Sequence, residues 1–103
     1  MLRRGLEDES PACRGSALIS LELLSRDHPG IVNSARPALH ELASHDDNQA
    51  VRRLAVMSLK NGSPQRETIL LLNSLSDDDE QDRELRAAAG KVAEVLRKRA
   101  ATR

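Results

Sequence analysis

One short pattern occurs three times in the chain. Cys13-Arg14, Val51-Arg52 and Leu85-Arg86 each set an arginine after a small or apolar residue, and an alanine follows three positions later at Ala17, Ala55 and Ala89. The arginines stand 38 and 34 residues apart. Acidic residues precede every copy: Glu7-Asp8-Glu9, Asp46-Asp47, and Asp77 through Glu80. A leucine pair comes before the second and third copies, Leu39-x-x-Leu42 and Leu72-x-x-Leu75, with Leu6 as its remnant before the first. Units of roughly 30 to 45 residues cannot each bury an apolar face alone, so neighbouring copies must stack.

The units read as helical. Leu85, Ala88, Ala89, Val92, Ala93 and Leu96 recur at helix spacing, and so do Val51, Leu54, Ala55, Ser58 and Leu59. The first copy shows Cys13, Ser16, Ala17, Ser20, Leu21 and Leu24. Breaks divide these stripes: Ser10-Pro11, Asp27-His28-Pro29-Gly30, Asp46-Asp47, Asn61-Gly62, Ser63-Pro64 and the acidic run from Asp77. Capping residues and N1 prolines at these breaks set helix limits. Five helices are expected, over 11–26, 29–44, 48–60, 64–75 and 81–99. No stretch alternates with the period of a strand. The expected fold is all-α, a short α-solenoid of antiparallel helical hairpins. It forms one domain over 1–103, with units of about 1–26, 29–60 and 64–99 and a flexible tail at 100–103.

Composition narrows function. Sixteen basic and sixteen acidic residues cancel, so no global basic field draws in nucleic acid. The chain has no Phe, Tyr or Trp and therefore no base-stacking platform. Cys13, the one cysteine, excludes an internal disulfide. The longest apolar run, Ile69 to Leu72, is far too short to cross a bilayer, and no apolar leader follows Met1, so a cytoplasmic protein is expected. The excess of Arg over Lys suggests a GC-rich bacterial genome.

These repeats resemble HEAT-like repeats, particularly the short bacterial type of bilin-lyase-related proteins. The likeness is carried by Leu42, Asp46, Asp47, Val51, Arg52 and Ala55. It returns at Leu75, Asp77 to Asp79, Leu85, Arg86 and Ala89, and more weakly at Leu6, Asp8, Cys13, Arg14 and Ala17. Pro37 stands in the first helix of its unit, where HEAT units often carry a helix-bending proline. Cys13 in place of valine and Gly90 within a second helix depart from the pattern. The resemblance implies a non-enzymatic protein-binding scaffold whose second helices line a concave face.

Candidate residues follow from that frame. Leu18, Ile19, Val56 and Met57 flank the core stripes of two successive second helices and are expected to form an apolar groove for a partner, unless they pack against first helices. Arg53, Lys60 and Lys91 would set electrostatic register at its rim. Arg14, Arg52 and Arg86 form an expected ladder, each bonding a loop carboxylate or carbonyl of a neighbouring unit, with Asp47 and Asp78 as acidic partners. Cys13 is expected to be a buried small hydrophobe. No cofactor, metal site or catalytic apparatus is expected. The acidic run lacks the glycine of a calcium loop, and His40 and His45 are five apart rather than four. His40-Glu41 is similar to one of the several pairs with which the HEAT-repeat enzyme deoxyhypusine hydroxylase binds iron, but it stands alone and on a first helix. The alternatives are a nucleic-acid-associated HEAT module acting through Lys91, Arg97, Lys98, Arg99 and Arg103, a regulatory subunit of an enzyme, and a chain that associates with its own copy.

Overall fold

The computed structural model describes residues 5–102, all helix and connecting turn. Arg103 of the basic stretch and residues 1–4 of the expected first unit lie outside the described residues. Helix α1 spans Pro11–Ser25, α2 Gly30–His45, α3 Gln49–Ser58, α4 Arg66–Asp77 and α5 Arg83–Ala101, with a 3-10 turn Leu59–Asn61 closing α3.

Local chemistry sets most of these limits. The Ser10 hydroxyl accepts the Cys13 N–H and Pro11 fills the first helical position, which starts α1. The side chains of Asn48 and Asp82 accept the N–H groups of Val51 and Leu85 in the same way, so α3 and α5 begin one and two residues later than expected. Ser63 does not cap α4. Its N–H and hydroxyl are held by Asn33 Oδ1 of α2, at 3.1 and 2.9 Å, and the helix starts only at Arg66. The last helix continues through Ala101, two residues past the expected end, so the expected tail at 100–103 is helical over its first half.

The helices form two layers. α1, α3 and α5 pack side by side in one, while α2 packs on α3 and α4 packs on α5 in the other. The molecule measures 36 × 34 × 17 Å, and its short dimension is two helices thick. The interior between the layers is aliphatic. Leu18, Leu39, Val56, Leu72, Leu85 and Leu96 are each fully buried, and burial of such a side chain stabilises the fold by about 1.5–3 kcal/mol.

Close helix approach substitutes for the bulk of aromatic rings. A Cβ on Gly90 of α5 would stand 2.9 Å from Ser76 Oγ of α4. One on Gly62, after the 3-10 turn, would stand 2.5 Å from Val32 Cγ1 of α2. Only glycine lets the chain pass Val32 at that distance.

Candidate functional site

Each repeated arginine reaches back over the turn that precedes its helix. Arg52 is buried, and its Nε donates to the Ala43 carbonyl at 2.9 Å while Nη2 donates to that of Ser44 at 3.3 Å. Arg86 Nε donates to the equivalent Ser76 carbonyl at 3.2 Å. Arg14 Nη1 donates to the carbonyls of Asp8 and Glu9 at 2.8 and 3.0 Å. The last carbonyls of an α-helix have no partner within the helix, and the guanidinium supplies one. Arg52 and Arg86 therefore tie the two helices of one hairpin together, where the sequence suggested bonds between units, and Arg14 bonds the turn before its own helix. Arg14 alone also crosses the stack, its Nε 2.8 Å from Asp46 Oδ2 of the second unit.

The expected acidic partners need correction by one residue. The carboxylate that meets Arg14 belongs to Asp46, whereas Asp47 is exposed. Asp46 directly follows α2 and accepts the Asn48 N–H, which turns its side chain inward and leaves Asp47 facing out. Arg86 pairs with Asp79 at 3.1 Å, while Asp78 accepts the Glu80 N–H and the Gln81 side chain.

The expected groove also needs correction. Leu18 and Val56 are 0% exposed and belong to the core. Their shoulder positions are buried because a second helix is covered by a neighbour in its own layer and by the first-helix layer beneath. Ile19 is 50% exposed and Met57 is half-buried. These two hold equivalent positions in their units, and Lys91 holds the third, so Ile19, Met57 and Lys91 form a row across the outer face of α1, α3 and α5. Charged side chains surround the row. Glu22 pairs with Arg26 at 2.8 Å, Arg53 pairs with Glu84, and Glu94 pairs with Lys98 at 3.3 Å. The hydrogen bond from Arg26 holds the Glu22 carboxyl below its ordinary range against the opposing effect of burial, helped by Asn61 and by the charges of Arg26 and half-buried Lys60.

Two residues of the basic C-terminal stretch are engaged within the fold. Arg97 Nη1 donates to Asn73 Oδ1 at 2.8 Å, and Arg99 Nη1 donates to the Gly62 carbonyl at 2.6 Å. Cys13 is exposed, in contrast to its expected place in the core. His40 Nε2 lies 2.9 Å from Thr68 Oγ1, a contact between α2 and α4, and burial pushes its pKa down. Among the described residues no group of three or more His, Cys, Asp and Glu side chains is placed to hold a metal ion. No described helix is long and apolar enough to cross a membrane.

Sequence reasoning missed Leu23 and Leu24, which are 53% and 46% exposed on α1. Leu24 sits on the helical stripe of α1, which at equivalent positions in the other units is core. Among the described residues no helix of the same layer covers that side of α1, and the stripe alone does not report this.

The chain matches no curated protein and no solved structure. The family model for HEAT repeats matches residues 1–94. Stacked hairpins, arginine-led second helices and this match agree, and the chain belongs to the HEAT repeat family.

Proposed function

We propose that the protein is a non-enzymatic interaction module that docks a protein partner on the outer face of the α1–α3–α5 layer. The observation that carries this reading is the row of equivalent positions Ile19, Met57 and Lys91 on one surface. Ile19 and Met57 offer a small apolar centre enclosed by charged groups, the arrangement in which a few desolvated contacts dominate binding. Met57 is unbranched and adapts its shape to what it meets. Lys60 and Lys91 favour acidic residues at the edge of the partner's footprint. Arg53 is already held by Glu84 and acts more by fixing α3 against α5 than by reaching a partner.

The reading places the module among adaptors. A nucleic-acid role is disfavoured because Arg97 and Arg99 are bonded to other elements of the fold. The test is site-specific photocrosslinking in cells that produce the protein, with the crosslinker at Met57 and, as control, at Leu70 of the other layer. A protein joined at 57 and not at 70, and lost when Ile19→Asp and Lys91→Glu are introduced, supports the proposal. Equal crosslinking at both positions, or none at 57, defeats it.

A further inference from the structure

The described part of the molecule exposes four large apolar side chains, and three of them, Ile19, Leu23 and Leu24, lie on α1. Leu23 and Leu24, with Cys13, Ser16 and Ser20, occupy an arc of about 100° on that helix, and all five are exposed and uncharged, while Ile19 lies beyond the edge of this arc, on the side of Met57 and Lys91. In the second unit the equivalent arc is an interface. Leu54 and Ser58 of α3 and Asn61 of the 3-10 turn face α1, with Leu54 opposite Gly15, the Ser58 hydroxyl 3.4 Å from the Leu18 carbonyl and Asn61 bonded to Glu22 and Ser25. On α1 the same surface faces outward.

We infer that a second copy of this chain covers it, with the two α1 helices antiparallel about a two-fold axis near Ser20. The face is graded along the helix: small at its N-terminal end (Cys13 and Ser16), large at its C-terminal end (Leu23 and Leu24). Antiparallel pairing sets small against large in both halves, whereas parallel pairing sets leucine against leucine. The face carries no charge, so it neither repels a copy of itself nor selects a charged partner. The far edge of the layer is unsuited to it, because α5 presents exposed Glu94 and Arg97 there, and a head-to-tail stack would bury them against leucines. Pairing through α1 alone closes the assembly at two copies and makes no filament. The pair continues the α1–α3–α5 layer into a six-helix sheet and leaves Met57, Lys60 and Lys91 of each copy uncovered.

The test is sedimentation equilibrium on the whole chain with a cysteine scan. The mass should rise with concentration toward twice the 11.3 kDa monomer. Ser20→Arg and Leu24→Asp, at exposed positions, should hold it at one copy with circular dichroism unchanged. In a Cys13→Ser background, Ser20→Cys sits at the axis and should form a disulfide dimer under mild oxidation. Native Cys13 lies about 10 Å along the helix from the axis, so its two copies stand about 20 Å apart and should not join. A monomer at every concentration overturns the inference, and so does a dimer indifferent to Ser20→Arg and Leu24→Asp or a disulfide through Cys13 in preference to position 20. Met57 crosslinking in the Leu24→Asp monomer separates this result from the proposed docking face, which needs no second copy.

Discussion

Arg14 and Asp46 join the first and second units across 32 positions of sequence, with Nε 2.8 Å from Oδ2 and Nη2 3.1 Å from Oδ1. Their side chains are only 14% and 5% exposed. The same carboxylate accepts the Asn48 N–H at 2.9 Å, so one aspartate both opens α3 and anchors the neighbouring hairpin. Asp46→Asn should therefore cost about 1–3 kcal/mol in urea unfolding, since it weakens a charge-assisted pair with little solvent access. Asp47→Asn, one residue on and exposed, should change stability by less than about 0.5 kcal/mol. Equal effects would show that the two carboxylates share the role.

Leu18 and Ile19 are neighbours in sequence and opposites in environment, at 0% and 50% exposure. Leu18→Ala opens a cavity between the layers and should cost about 2–5 kcal/mol. Ile19→Ala should stay within about 0.5 kcal/mol, because its side chain is half in water already. Thermal or denaturant unfolding of the two variants separates a core residue from a docking residue before any partner is known.

How far the sequence could be read depended on whether a residue's surroundings repeat. Arg52 and Arg86 meet equivalent carbonyls, Ala43 and Ser76, because each follows a complete first helix; that the arginines recur was legible from spacing, but that they bond within one hairpin rather than between units was not. The carboxylate partner was not, because the acidic turns differ in length and a one-residue shift turns an aspartate from inside to outside. Cys13 was misread for a related reason. Its equivalents Val51 and Leu85 are buried at 2% and 0%, but their helices each have a preceding helix of the same layer, and among the described residues α1 has none. Periodicity reports which residues share a face and cannot report what lies opposite. Leu18 and Val56 show the converse: on a helical wheel they are shoulders, and two neighbours cover them.

The struts differ in depth, and so should the effects of removing them. Arg52→Met leaves the Ala43 and Ser44 carbonyls without their donor in a buried site and should cost about 2–3 kcal/mol. Arg86 has a side chain 36% exposed, and water replaces its bond to Ser76, so Arg86→Met should cost about 1 kcal/mol or less. Arg52→Lys should recover only part of the loss, because an ammonium cannot span both carbonyls from one fork. Stability measured on the three variants checks the order, and an Arg86 effect as large as that of Arg52 would contradict it.

Acid should loosen the contact between α2 and α4 first. Burial is the largest influence on the His40 ring and holds its pKa below the ordinary 6.5. The charge of Arg36 acts the same way, and Glu67 opposes them. A histidine whose folded pKa is depressed takes up its proton more readily when the chain is unfolded. The stability tied to the neutral ring is thus complete above 6.5, declines as pH falls toward the folded value, and levels off below it. His40→Gln keeps a hydrogen-bonding group beside Thr68 Oγ1, now 2.9 Å from the ring, without the titration. Its unfolding free energy should be flatter than that of the wild type as pH falls from neutrality through 6.5. Glu22 supplies a second, more acidic step. Its lowered pKa contributes stability above 4.5 that is lost as pH falls through the folded value, and Glu22→Gln should remove that step alone. Denaturant titrations across pH on both variants assign the two windows, and a slope near neutrality that survives His40→Gln would place its origin elsewhere.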